Sequence, residues 1–192
     1  MRTELALGQY LDITLTGAAT TTDVDLAAAL RVIRYKTAKY TIERPLQLGA
    51  ALSGANPDVM HALSAYAIPL GEAFQLRDDL LGVFGTPATT GKPALDDLRE
   101  GKATVLIALA LQRAGPHQRN QLRRLLGCAT LTQEQAQTAR QLITATCART
   151  TVEDMITERH HQALHALEAS CLGTAAVAAL RLIADQAIER AA

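Results

Sequence analysis

Aromatic side chains are almost missing: there is no Trp, and two Phe with four Tyr account for 3% of the residues. A core of stacked rings is excluded. Hydrophobic residues still make up 48% of the chain, so the interior must be aliphatic, and the dominant Ala and Leu are strong helix formers. Cysteine is sparse too, with only Cys128, Cys147 and Cys171, far apart and in no C-x-x-C arrangement. An odd, scattered set suits reduced, buried thiols better than a disulfide frame or a zinc site, and places the protein in the cytoplasm. Net charge is absent, since nineteen basic residues balance nineteen acidic ones. No overall field draws the chain to nucleic acid or to an anionic membrane, so any phosphate binding has to be local. The longest apolar run, Val105 to Leu111, is far short of the roughly 20 residues of a membrane span. No basic stretch followed by an apolar segment opens the chain, so no signal peptide is expected. Neither a P-loop nor G-x-G-x-x-G occurs, which argues against a nucleotide ligand.

What is present is helical periodicity almost everywhere, in a chain whose 192 residues suit a single domain. The pattern predicts helices over 3–16 and from a cap near Asp23 to Ser53, with a bend at Pro45. A long helix over 57–84 is entered by Pro57 and interrupted by Pro69. The loop GTPATTGKP follows, and helices over 96–114, 116–126, 132–148, 152–169 and 174–190 complete an all-α chain, punctuated by Gly115, Gly127 and Gly173. Periodicity begins within a few residues of Met1, at Leu5, Leu7, Leu11 and Leu15, as though the chain entered partway through a bundle.

Charge concentrates between residues 72 and 106, EAFQLRDDLLGVFGTPATTGKPALDDLREGKATVL. Gly71, Gln75, Asp78, Asp79 and Gly82 fall at helical spacing on one stripe. Two carboxylates and an amide flanked by glycines predict space above the stripe for a ligand. The loop beyond brings Asp96 and Asp97 between Lys92 and Lys102. Lysine usage adds to this, because only four of the nineteen cations are lysines, and Lys92 and Lys102 lie in this stretch, with Lys36 upstream in YKTAKY. An ammonium meets a phosphate oxygen as a point charge, whereas guanidinium favours planar, bidentate partners. Carboxylates alternating with lysines suit a polyanion held through Mg²⁺, which takes one or two protein carboxylates and completes its shell with water and phosphate oxygens.

FQLRDD in 74–79, TGKPALDDLREGKAT in 90–104 and YKTAKYTIERPLQLGA in 35–50 resemble the trans-isoprenyl diphosphate synthases, the polyprenyl synthetase family of farnesyl and geranylgeranyl diphosphate synthases. The resemblance is carried by residues 1–106. It implies an isoprenoid-synthase-type helical bundle and a Mg²⁺-dependent prenyltransferase joining an allylic diphosphate to isopentenyl diphosphate. By resemblance Asp78 and Asp79 bind Mg²⁺ with Asp97 as an outer acidic residue. Gln75 sits beside the allylic substrate, and Lys36, Thr37 and Tyr40 face the diphosphate and the developing cation. Lys92 and Lys102 resemble diphosphate-binding lysines, and Gln9 a glutamine lining the same cavity.

Three departures stand beside the resemblance. No D-D-x-x-D with paired arginines precedes Gln9, so the chain resembles the rear, C-terminal part of a synthase domain across 1–192, incomplete at its N-terminal side. The second motif has Gly82 where its third carboxylate would fall, and Leu95 stands where glycine is often expected. Half a metal cage should fail as a catalyst, since the transition-state charge must be met from both sides. The expectations are therefore little activity alone and self-association or association with a synthase. Isopentenyl diphosphate would be used only where the front part is supplied. The alternatives are a non-catalytic partner of an intact synthase or a decayed fragment. His161, His165 and Glu168 read as a solvated helix face, as do Arg119, Arg123 and Arg124.

Overall fold

The computed structural model describes residues 2–16, 24–85 and 95–189. Among them there are helices and connections and no strand. Helix α1 spans Arg2–Leu15. Asp25 then caps α2 (Leu26–Val32) by accepting the Ala27 N–H at 3.0 Å; the cap predicted at Asp23 lies outside the described residues. From Ile33 to Glu43 the chain continues as a π-helix, closed by the Arg44 N–H on the Lys39 carbonyl, five residues back. It returns to α-geometry in α3 (Arg44–Leu52), with Pro45 in its first turn. The predicted bend is thus a change of helix type. The proline falls in the first turn of α3, where its fixed φ is tolerated.

Helix α4 (Pro57–Phe84) has Pro57 in its first turn, behind Asn56, whose side chain accepts the Val59 N–H at 3.0 Å; Pro69 is accommodated within the helix. The predicted helix over 96–114 is two. Gly101, at φ +64°, ends α5 (Asp96–Glu100) in the left-handed region, and the Thr104 side chain caps α6 (Val105–Arg113). A residue without Cβ takes that conformation freely, so the break is written in the sequence as Gly101. Helices α7 (Pro116–Leu125), α8 (Gln133–Ala145), α9 (Ala148–Glu168) and α10 (Thr174–Ile188) follow. Thr132 and Gln135 form a reciprocal capping box at the start of α8.

Every residue from Val105 to Leu111 is buried. A helix apolar all round belongs inside, and α6 is the hub of the larger core. Around it pack Ala73, Leu76, Leu80 and Val83 of α4, Ala136 and Ile143 of α8, and Val152 and Ile156 of α9. A smaller core joins Leu63, Tyr66 and Leu70 of α4 to Ala163 and Leu167 of α9 and Leu180 of α10. There the buried Tyr66 hydroxyl donates to the Leu180 carbonyl at 2.7 Å. Helices α4 and α9 run through both cores, making α4 the fixed rail on which the charged stripe is mounted.

Burial differs from the sequence expectation at the thiols. All three cysteines are free, yet Cys147 and Cys171 are exposed and Cys128 is only half-buried. They sit at or beside helix ends, where the chain turns at the surface. Arg119 is likewise more than a wetted side chain, since it donates to the Leu111 and Ala114 carbonyls at 2.8 and 3.1 Å and so closes the end of α6. His161, His165 and Glu168 are exposed, as expected, with Glu168 paired to Arg181 at 2.8 Å.

Candidate active site

The π-helical segment is pressed between α1 and α4 by two glycines. A Cβ on Gly8 would come within 2.6 Å of the Lys36 backbone nitrogen, and one on Gly71 within 2.4 Å of the Ala38 Cα. The space predicted above Gly71 is therefore filled by backbone. That contact sets Lys36 and Thr37 opposite the polar stripe of α4.

A continuous hydrogen-bonded chain results. Thr37 Oγ1 donates to Gln75 Oε1 at 2.7 Å, Gln75 Nε2 donates to Asp79 Oδ1 at 2.9 Å, and Lys102 Nζ donates to the same oxygen at 3.0 Å. Asp97 Oδ2 lies 3.7 Å from Lys102 Nζ. Lys36 pairs with Asp12 of α1 at 2.5 Å. Asp12, Lys36, Thr37, Gln75, Asp79 and Lys102 all line one cleft of about 40 Å³, with Ile33 and Val105 among its apolar walls. That is room for about three water molecules, so the cleft is the polar foot of a site.

Burial pushes the Asp79 carboxyl above its usual range, opposed by the charge and hydrogen bond of Lys102. On Lys102, burial favours the neutral amine, but Asp79 and Asp97 together outweigh it and raise the group above its ordinary value. The ammonium is thereby kept charged at neutral pH, inside a narrow, largely buried cleft where its field is less screened than at the surface.

Asp78 is half-buried, with Oδ2 3.5 Å from Gln75 Nε2. Tyr40 is half-buried outside the cleft lining, and Gln9 is exposed and also outside it. Lys92 lies outside the described residues. Asp12 was missed by the sequence reading, although it stands three residues beyond Gln9 in GQYLD, nearly one helical turn away. Glu72 was missed as well. It is buried within α4, with Arg34 Nε and Arg159 Nε each 2.7 Å from one of its oxygens.

Among the described residues no three His, Cys, Asp or Glu side chains are grouped so as to hold a metal by themselves. The donor set nonetheless suits Mg²⁺. Asp78 and Asp97 present hard oxygens at partly exposed positions, and this ion needs only one or two carboxylates when water and phosphate complete its shell.

The Polyprenyl synthetase family model matches residues 1–145. The chain belongs to the polyprenyl synthetase family. Among curated members, it is 43% identical over 95 residues to the geranylfarnesyl diphosphate synthase of Aeropyrum pernix, covering 50% of this chain and 30% of that protein. It is 41% identical over 112 residues to the (2E,6E)-farnesyl diphosphate synthase of Mycobacterium tuberculosis, covering 58% and 30%. The geranylgeranyl pyrophosphate synthase of Corynebacterium glutamicum, solved with isoprenyl diphosphate and magnesium, superposes with a TM-score of 0.93 at 45% identity. That match covers 100% of this chain and 53% of the other. The chain thus spans about half the length of this polyprenyl synthetase relative of known structure, and its matches to the curated members cover about a third of theirs.

Proposed function

We propose that this chain forms the rear wall of a trans-prenyltransferase site, binding an allylic diphosphate through Mg²⁺. The observation that carries the reading is the chain Thr37–Gln75–Asp79–Lys102 converging with Lys36 on one cleft. Asp78, Asp79 and Asp97 would hold Mg²⁺. When bound, the ion would offset the charge that builds on the diphosphate as the allylic C–O bond breaks. Lys36 and Lys102 bind the diphosphate oxygens from the cleft, and Lys92 and Gln9 are given the same role by their motifs alone. Lys102 binds from a position where its charge is already secured, which favours the transition state in which negative charge is greatest. Thr37 and Gln75 would offer their oxygens to the allylic carbon from the cleft, Tyr40 is given that role by its motif, and the apolar wall would keep water from the cation.

Turnover requires more than this chain. A cleft of about 40 Å³ cannot enclose a prenyl group, and its charges act from one side only. The front wall, with the first aspartate-rich motif and the isopentenyl diphosphate pocket, is supplied from outside these 192 residues, by another chain or by further sequence. A condensation assay tests this: the purified 192-residue chain alone gives no product, and adding a separately expressed front part of a relative restores it. Robust turnover by the chain alone contradicts the proposal. A second reading, a non-catalytic partner that binds an intact synthase, is favoured by the exposed Leu7, Tyr10 and Ile13 along one face of α1. Binding to an intact synthase, with no gain when the front part is added, would select it.

A further inference from the structure

Glu72 of α4 takes no part in the polar cleft and borders a second cavity. Its side chain is only 4% exposed, and Arg34 Nε donates to Oε1 at 2.7 Å. Arg159 Nε of α9 lies 2.7 Å from Oε2, yet this buried nitrogen makes no hydrogen bond among the described residues. The carboxylate thus anchors one guanidinium by a hydrogen bond and the other by charge alone.

The second cavity, of about 260 Å³, is lined by Ala27, Leu30 and Arg31 of α2, Arg34 of the π-helical segment, Glu72 and Arg159. It shares no lining residue with the polar cleft. Helical spacing explains the separation: Ala27, Leu30, Arg31 and Arg34 recur at i, i+3, i+4 and i+7 on one face, whereas Ala29, Val32, Ile33 and Lys36 repeat that spacing on the face that lines the cleft.

Charge in this cavity is out of balance. Three guanidiniums meet one carboxylate in its lining, leaving two positive charges in excess within a chain of zero net charge. Arg31 has Asp25 at 3.7 Å, but both side chains are more than half exposed, so that pair is weak. A purely internal ion triad would need neither Arg31 nor an open cavity beside it. Guanidinium forks match the oxygens of a phosphate, and Ala27 and Leu30 provide an apolar flank for carbon. The volume falls a little below the roughly 300–1,000 Å³ of pockets for drug-sized ligands, so the occupant is small.

We propose that this cavity binds a small phosphate monoester, with Arg31, Arg34 and Arg159 on the dianionic phosphate and Ala27 and Leu30 against its carbon portion. The site stands apart from the Mg²⁺–diphosphate reading, since none of its residues lines the polar cleft.

The test is calorimetric titration of glycerol 3-phosphate and of inorganic phosphate into the full chain, without Mg²⁺ and at constant ionic strength, with a urea unfolding curve for each variant. Wild type should bind both saturably, and glycerol 3-phosphate the more tightly. Arg31→Gln, at an exposed position, should unfold at the wild-type midpoint and lose roughly 10-fold in affinity, and Arg34→Gln should lose roughly 10- to 100-fold. Lys36→Gln, in the polar cleft, should bind as wild type does. Absence of saturable binding by wild type overturns the proposal, as does wild-type affinity in either arginine variant. Binding lost in Lys36→Gln but kept in Arg31→Gln assigns the phosphate to the polar cleft and overturns it as well. Inorganic phosphate bound as tightly as the monoester overturns the ligand class.

Discussion

The seam between the π-helical segment and α4 and the outward faces of α1 and α3 obey opposite rules. In the seam, Gly71 admits the backbone of Ala38, Thr37 reaches Gln75, and two arginines hold the buried Glu72. On the outward faces, Leu7, Tyr10 and Ile13 of α1 and Leu48 and Leu52 of α3 repeat at helical spacing and stand exposed. The groups that handle charge are each fixed by several neighbours, whereas the apolar residues outside are fixed by none of comparable closeness. The contrast teaches that the chain completes its polar wall internally and offers an apolar one outward.

The strongest way to break the seam is to fill it. Gly71→Ala puts a methyl carbon within 2.4 Å of Ala38 Cα, and backbone has little freedom to yield. A loss of about 3 kcal/mol is expected, read as a lower urea midpoint, and an unchanged midpoint would show that the helices are not in this contact. Glu72→Gln follows. It removes the charge that both Arg34 and Arg159 share, but Arg34 is half exposed and can be rehydrated, so the loss should be about 2 kcal/mol, below the usual range for a broken buried pair.

The outward side is weaker and should show it. Glu4 binds Arg44 across α1 and α3, and that hydrogen bond lowers the Glu4 carboxyl from 4.5 to about 2. A lowered acid stabilises the fold above its unfolded value, so this contribution is complete above pH 4.5 and fades as pH falls toward 2. Solvent screening keeps it on the order of 0.5–1 kcal/mol. Thermal melts of Glu4→Gln should match wild type at pH 2 and fall slightly below it at pH 7. The smallest effect on stability belongs to Leu7→Ser/Ile13→Ser, at about 0.5 kcal/mol or less, with reduced self-association by size-exclusion chromatography. A large destabilisation would mean that α1 is packed on that face after all.

Sequence reading recovered what local chemistry writes down. Pro57 announced the first turn of α4, and the helical pattern resuming at residue 132 announced α8. The spacing of Gln75, Asp78 and Asp79 placed them on one stripe, and the family motifs pointed to Lys36 and Lys102, which the fold brings to the same cleft. What stayed hidden depends on contacts across distance. The change from i→i−4 to i→i−5 bonding at Ile33–Glu43 leaves no compositional mark over so few residues. Gly71 and Gly82 read as open space, although a glycine signals a close approach as readily as a void. Glu72 looked like one more helix acid because its partners lie 38 and 87 positions away in the chain, at Arg34 and Arg159.

The central claim is that the polar wall is formed and competent in this chain by itself. Calorimetry with a non-hydrolysable allylic diphosphate analogue, with and without Mg²⁺, compares wild type with Asp78→Ala/Asp79→Ala. The account predicts saturable binding that needs Mg²⁺ and disappears in the double variant. Absence of binding by a chain shown to be folded would contradict it.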